Sequence, residues 1–285
     1  MKSTHKNIHT LLRDHGLSIK KKFGQNFLVD ENILDKIVFE SGASKDTLVI
    51  EIGPGLGSLT RRLLEKAGAL IAYEIDRDLI PVLNTLFQDE PNFHLIEGDV
   101  LKRNVDEDIA SFASAYKEVI VVANLPYYIT TPILMKLLEE SQIITRYTVM
   151  MQLEVARRLT AQTNTKDYNA LSVALKYRTR PRFAFKVPKN VFIPVPNVES
   201  AVITLDVHQT SPYQVTNEAF FFDFIKQAFK QRRKTMLNNL TAAYPLDKDT
   251  VITMLEAHDI NPQARAESLP IEVFVTLANI FYKAL

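Results

Sequence analysis

Largely apolar segments recur along the first half of the chain, and glycine or polar residues follow each of them. They lie at 48–52, 70–76, 93–97, 119–122 and 147–152. The segment 119–122 is β-branched and does not alternate, which is typical of a parallel strand buried on both faces. Apolar residues at helical spacing precede the first of them, at 31–41, and lie between later ones, at 59–67 and 133–141. Strands that alternate with helices predict βαβ units around an open α/β sheet.

The pattern changes in the second half of the chain. Residues 153–159 predict a helix, and 170–177 and 201–207 predict two further strands, the second added antiparallel. Residues 208–216 are polar, and helical periodicity dominates after them. We therefore expect a sheet domain over 1–207, with a lead-in over 1–30 that starts as a helix, and a small all-helical domain over 208–285.

Length and composition limit the classes of protein. A chain of 285 residues suits one large and one small domain. The absence of cysteine excludes disulfides, thiolate nucleophiles and cysteine-ligated zinc. Residues 1–15 contain no apolar core of a signal peptide, and no apolar run approaches membrane-spanning length. We expect a cytoplasmic protein.

The net charge is only +1, so the distribution of charge carries more information than its sum. Three segments are basic without an intervening acid, namely 20–22, 176–189 and 226–234. Each one alone predicts a solvated surface. Together they make a basic face plausible, and Phe229–Leu237 places four cations on or beside one predicted helix, where they suit phosphate contact.

The first strand leads directly into a glycine turn, Gly53–Gly57, and then into a helix. Glycines let a backbone approach a ligand closely. The spacing is G-x-G-x-G, which differs from the dinucleotide fingerprint, and a glycine turn alone is weak support for a site. Glu74 ends the next strand about 20 residues later, where doubly wound folds place a carboxylate on ribose hydroxyls.

The third and fourth strands also end in polar residues. Asp99 follows the third strand and suits either an acceptor for an adenine amine or an ordinary turn. The fourth strand ends in Asn124-Leu125-Pro126-Tyr127, where an amide can accept from an amino group while a ring stacks on a base. Carboxyl ends of parallel strands share one edge of a sheet. We therefore predict a cofactor site there, with a pocket for an adenine amine beside it.

Seven motifs in this order resemble one family over nearly the whole chain. They are 23–28 (FGQNFL), 51–57 (EIGPGLG), 73–76 (YEID), 98–100 (GDV), 124–127 (NLPY), 192–196 (FIPVP) and 229–234 (FKQRRK). The chain resembles the rRNA adenine dimethyltransferases, most closely the bacterial small-subunit (16S) enzymes of the KsgA type. The resemblance implies a Rossmann-like seven-strand methyltransferase domain that uses S-adenosylmethionine, and a helical C-terminal domain that binds RNA or the ribosome.

The resemblance also implies roles for individual residues. The turn at Gly53 and Gly55 lies against the methionine part of the cofactor, Glu74 takes the ribose, and Asp99 reads the adenine. Asn26 and Leu28 close over the cofactor. No metal is expected.

For the target base, Asn124 serves both substrates and the backbone carbonyl of Leu125 is the second acceptor. Tyr127 and Phe192 stack on the base. The cations Arg232, Arg233 and Lys234 are expected to contact RNA.

The expected reaction gives N6-dimethyladenosine at two adjacent adenosines near the 3′ end of 16S rRNA during small-subunit assembly. We expect a monomer that contacts neither membrane nor DNA. Three alternatives stay open from the sequence: a resistance-type 23S rRNA dimethyltransferase, a DNA adenine methyltransferase, and a non-catalytic assembly or transcription factor on the same scaffold. The motifs that contain the glycine turn, Glu74, Asp99 and Asn124 are intact. This favours an enzyme over the non-catalytic alternative.

Overall fold

The computed structural model describes residues 8–14, 16, 18–20 and 24–285. Two compact units make up the chain. The first, which we call the sheet unit, comprises Met1–Ala156 with Arg182–Val207. The second, the helical unit, comprises Arg157–Pro181 with His208–Leu285.

Nine strands occur in the described residues: β1 (Phe27–Leu28), β2 (Thr47–Ile52), β3 (Ala69–Glu74), β4 (Phe93–Glu97), β5 (Glu118–Asn124), β6 (Ile144–Gln152), β7 (Thr179–Val187), β8 (Phe192–Ile193) and β9 (Ser200–Val207). Seven of these form one sheet in the order β4-β3-β2-β5-β6-β9-β7. Neighbours from β4 to β6 pair in parallel, whereas β9 pairs antiparallel with β6. The predicted parallel sheet and its antiparallel addition are confirmed.

Helices connect these strands: α1 (Ile8–Asp14), α2 (Glu31–Ser41), α3 (Ser58–Lys66), α4 (Ile80–Leu86), α5 (Val105–Ala113), α6 (Thr130–Glu140) and α7 (Leu153–Leu159). The Asp30 side chain begins α2 by accepting from the backbone N–H of Ile33, and Gly42 ends this helix in the left-handed region with φ 71°. Helix α1 lies in the predicted lead-in, but residues 1–7, Lys21, Lys22 and Phe23 lie outside the described residues.

Strand β2 is the centre of the parallel part of the sheet, because β3 and β5 flank it. All six of its residues are buried. Burial of each large apolar side chain contributes about 1.5–3 kcal/mol. The parallel register brings the ends of β2, β3 and β5 to the same edge, which is where a ligand site is expected.

The helical unit contains α8 (Ala170–Arg178), α9 (Glu218–Ala228), α10 (Met236–Ala243), α11 (Lys248–Glu256) and α12 (Ile271–Ala284). Its core is aromatic, with Phe221, Phe224, Phe274 and Phe281 all inaccessible to solvent. The predicted helical C-terminal region is confirmed. In the part of the chain that the structure describes, no helix is both long and apolar enough to cross a membrane.

The predicted strand at 170–177 is wrong, because these residues form α8. Asn169 and Ser172 form a capping box that starts the helix. Tyr168, Val173 and Tyr177 pack in the same core cluster as the C-terminal helices. The helical unit therefore includes 157–181 as well as the residues after 207. The domain boundary after residue 207 stays a prediction.

Candidate active site

A cavity of about 130 Å³ opens at the carboxyl edge of the sheet unit. The ends of β2, β3 and β5 line it, together with residues 24–28. All seven residues predicted to bind the cofactor line this one cavity: Asn26, Leu28, Gly53, Gly55, Glu74, Asp99 and Asn124. Leu125 and Tyr127 line it as well. The structure thus brings together residues that lie far apart in the sequence.

The glycine turn needs glycine for two reasons. Gly53 and Gly55 have φ values of 67° and 59°, in the left-handed region that side chains disfavour. A Cβ atom at Gly55 would also lie 3.2 Å from the ring of Phe27. The backbone of the turn therefore lines the cavity, and the ring of Phe27 packs closely against it at Gly55.

Glu74 is held against this turn and is only 4% exposed. Its Oε2 accepts from the backbone N–H of Gly55 at 3.3 Å, and its Oε1 accepts from that of Asp76 at 2.8 Å. Burial raises the pKa of Glu74 to about 6, although these hydrogen bonds oppose the shift. The carboxyl group is thus fixed at the cavity wall, at the end of β3.

Glu51 is a cavity residue that sequence reasoning missed. It lies in β2, is 1% exposed, and its Oε2 has no hydrogen-bond partner among the described residues. Burial, with a smaller contribution from the charge of Glu74, raises its pKa to about 8. The available signal was a lone carboxylate in an otherwise apolar strand directly before the glycine turn. A buried, unpaired acceptor beside a cavity fits a ligand that carries a cationic or hydrogen-bond donor group.

Asp99 caps a turn, which was one of its two predicted interpretations, and its role as an acceptor for an adenine amine stays a prediction. Its Oδ1 accepts from the backbone N–H of Leu101 at 3.0 Å and so caps the short 3-10 helix Val100–Lys102. Asp99 nevertheless lines the cavity. One oxygen of the carboxylate therefore shapes the turn, and the other is left for a ligand.

Asn124 is the last residue of β5, and a backbone carbonyl orients its side-chain amide. Its Nδ2 donates to the carbonyl of Asn26 at 3.2 Å, and this hydrogen bond assigns the amide orientation. Within the described residues, neither its Oδ1 nor the carbonyl of Leu125 accepts a hydrogen bond. Two adjacent acceptors are therefore available at the cavity, which is what an amino group with two hydrogens requires.

The two predicted stacking residues differ in position. Tyr127 lines the cavity, and its hydroxyl lies 2.7 Å from Oγ of Ser200, which fixes the ring. Phe192 does not line the cavity: it is 1% exposed, belongs to the core of the sheet unit, and pairs with Leu28 between β8 and β1. The structure therefore does not bring Phe192 to the cavity, and its stacking on the base stays a prediction. Tyr128, at 62% exposure, also lines the cavity.

The predicted RNA-binding cations lie in the helical unit. Arg232, Arg233 and Lys234 are exposed and follow the end of α9, so they lie in a turn before α10 and not on a helix. The side chain of Asn239 shapes this turn by donating to the carbonyls of Ala228 and Gln231. Arg232 pairs with Glu267 at 3.0 Å. By contrast, Arg233 and Lys234 form no ion pair with the described residues.

Comparison with known proteins places these features in a family. Residues 16–283 match the sequence model of the family described as "Ribosomal RNA adenine dimethylase". A ribosomal RNA small subunit methyltransferase A of Bacillus pumilus is 47% identical over 278 residues, covering 96% of this chain and 95% of the relative. The protein of the same name from Lysinibacillus sphaericus is 44% identical and covers 98% of both chains.

Solved structures agree with these matches. A dimethyladenosine transferase from Plasmodium falciparum superposes with a TM-score of 0.74 at 26% identity, covering 90% of this chain and 98% of the other. The 23S rRNA methyltransferase ErmE superposes with a TM-score of 0.69, also at 26% identity, covering 88% of this chain and 98% of its own. The chain belongs to the ribosomal RNA adenine dimethylase family.

Proposed function

We propose that the protein transfers methyl groups from S-adenosylmethionine to N6 of two adjacent adenosines near the 3′ end of 16S rRNA, giving N6,N6-dimethyladenosines in an assembling small subunit. The observation that carries this proposal is a pair of acceptors, Asn124 Oδ1 and the Leu125 carbonyl, that no described residue occupies and that lie in the same cavity as the glycine turn and Glu74.

The cofactor end of the cavity is built from the ends of β2 and β3. Backbone atoms at Gly53 and Gly55 approach the methionine part, Glu74 accepts from the ribose hydroxyls, and Asp99 accepts from the adenine amine. Oε2 of Glu51, which has no hydrogen-bond partner in the described part of the chain, offers an acceptor to a cationic group of the cofactor. When bound, S-adenosylmethionine supplies a methyl group that its sulfonium charge has already activated.

The target end of the cavity counters the low nucleophilicity of an adenine amine, whose lone pair is delocalised into the ring. Asn124 and Leu125 accept hydrogen bonds from the two N–H groups of the amine and hold the nitrogen in a geometry that exposes its lone pair. The proton that the amine loses on methylation leaves to water. This is positioning combined with electrostatic preorganisation. Tyr127 stacks on the base, which offsets part of the cost of taking it out of its stack.

The proposed RNA contact is the basic turn 232–234. Exposed cations contact phosphates and position the RNA without reading its bases. The relatives that share 44–47% identity with this chain are named small subunit methyltransferases. These names support small-subunit rRNA over the 23S alternative as the substrate. The proposal includes a cytoplasmic enzyme that works as a monomer on the assembling particle.

The test supplies the protein with labelled S-adenosylmethionine and, in parallel, immature small subunits from an unmethylated strain and large-subunit particles. Fully methylated small subunits serve as the control and should take up no label. We expect dimethyladenosine only in the small-subunit RNA, near its 3′ end. Label confined to large-subunit RNA would replace this proposal with the 23S alternative, and label in neither RNA would refute methyl transfer to rRNA.

A further inference from the structure

Residues 24–28, which we call the strap, cross the carboxyl edge of the sheet and line the cavity. At one end, Phe27 and Leu28 pair with β8, and the backbone N–H of Val29 donates to the carbonyl of Val191 at 3.0 Å. In the middle, the carbonyl of Asn26 accepts from the side chain of Asn124 at the end of β5. The strap is therefore anchored on one side of the cavity.

A second anchor lies at the end of β3, on the other side of β2. Asp76 is 2% exposed, and its Oδ2 accepts from Nε2 of Gln25 in the strap at 2.8 Å. Its Oδ1 accepts from Nζ of Lys20 and from the backbone N–H of Asp78. Gln25 is itself fixed, because its Oε1 accepts from the backbone N–H of Lys20 at 2.8 Å.

This arrangement exceeds what a local turn requires. A turn explains the hydrogen bond from the backbone N–H of Asp78, since an Asp side chain in a turn often accepts from the backbone N–H of the residue two positions later. It does not explain a buried carboxylate that is also bonded by two side chains from more than 50 positions away. Burial alone would raise the pKa of Asp76, yet the hydrogen bonds from Lys20, Asp78 and Gln25 lower it, so the carboxylate stays charged.

Asp76 is also connected to the cofactor end of the cavity. Its backbone N–H donates to Oε1 of Glu74, the proposed ribose acceptor. Phe27, which pairs with β8 at the first anchor, also lies against the glycine turn, where a Cβ at Gly55 would be 3.2 Å from its ring. A strap fixed at both ends thus covers the turn, and loss of one end would free it.

We propose that Asp76 is a positioning residue that holds the strap across the cofactor cavity through Gln25 and Lys20, and that it thereby sets the affinity and the dissociation rate of S-adenosylmethionine. This inference rests on the proposed function only in taking the cavity as the cofactor site. It assigns Asp76 no contact with the RNA or with the target amine.

The test compares Asp76→Asn with the parent by calorimetry with S-adenosylmethionine and by steady-state methylation of small-subunit particles. We expect affinity for the cofactor to fall about tenfold and its KM to rise equally, which corresponds to about 1.4 kcal/mol and is near the contribution of one hydrogen bond to a charged group. At saturating cofactor, kcat and the KM for RNA should stay within about twofold.

The matched control is Asp46→Asn, which removes the same charge from an exposed pair with Lys117 at the amino end of β2. It should bind the cofactor like the parent. Gln25→Ala should reproduce much of the Asp76→Asn effect, and the double variant should be little worse than Asp76→Asn alone, because both changes release the same anchor.

Cofactor affinity and KM that are unchanged in a folded Asp76→Asn protein would overturn the inference. If Asp76→Asn does not fold, Gln25→Ala decides in its place, and parental affinity in that variant would equally overturn the inference. Failure of the parent to methylate rRNA would refute the proposed function instead, and calorimetry would still decide the role of Asp76.

Discussion

Replacing Glu51 with glutamine removes a carboxyl group that is 1% exposed and has one oxygen without a hydrogen-bond partner in the described structure. Burial raises the pKa of this group from 4.5 to about 8. Between those two values the folded protein holds a proton that the unfolded chain has already released. In the parent, the contribution of Glu51 to the free energy of unfolding is therefore fully present below pH 4.5 and is lost as the pH rises to about 8.

The size of this loss follows from the shift. One pKa unit corresponds to about 1.36 kcal/mol, so the full difference corresponds to at most about 5 kcal/mol, and relaxation around the charge reduces it. Glutamine resembles the protonated carboxyl group and does not titrate. The Glu51→Gln protein should match the parent near pH 5 and exceed its free energy of unfolding by about 2–5 kcal/mol at pH 8.

Urea denaturation followed by circular dichroism, without cofactor and in steps from pH 5 to pH 8, measures this difference. Glu118→Gln is the matched control, because Glu118 is exposed at the start of β5. That variant should follow the pH dependence of the parent. The reasoning would be refuted if Glu51→Gln lost stability with rising pH as steeply as the parent, since Glu51 would then not be protonated in the folded state.

Three further predictions concern the cofactor, the base platform and the RNA. Glu74→Ala should weaken cofactor binding about tenfold or more in calorimetry, because a charged acceptor for the ribose is lost, and unchanged affinity would exclude that role. Ser200→Ala removes the 2.7 Å partner of the Tyr127 hydroxyl and should slow methyl transfer severalfold at unchanged cofactor affinity, whereas parental rates would show that this contact does not position the ring. Joint replacement of Arg233 and Lys234 by alanine should raise the KM for rRNA and flatten its dependence on salt, with the log–log slope reduced by about one to two; an unaltered slope would remove this turn from the RNA interface.

The parallel sheet was predictable because its strands are buried on both faces and read as continuous apolar runs. Helix α8 was missed for a related reason. Five of its nine residues are buried, Ser172, Val173, Ala174, Leu175 and Tyr177, so no polar stripe shows its helical period. Burial on several sides makes a short helix look like a strand.

The site was predictable where it depends on strand ends and less so where it depends on distant partners. The glycine turn, Glu74, Asp99 and Asn124 all reach one cavity, as expected from the shared edge. The burial of Phe192 depends on pairing with Leu28 in a strand far away in sequence. The turn around Arg232 likewise depends on the side chain of Asn239, and no local pattern indicates either contact.

The most direct test of the proposed chemistry measures cofactor affinity and methyl transfer on the same preparation of Asn124→Ala. This variant loses the hydrogen bond from the Asn124 side chain to the carbonyl of Asn26. Because that bond joins two neutral groups, we expect cofactor affinity to fall by no more than about tenfold. Transfer to adenine N6 should fall at least about a hundredfold, because a preorganised acceptor is lost. Methylation of small-subunit rRNA by this variant at the parental rate would contradict the assignment of Asn124 to the target amine.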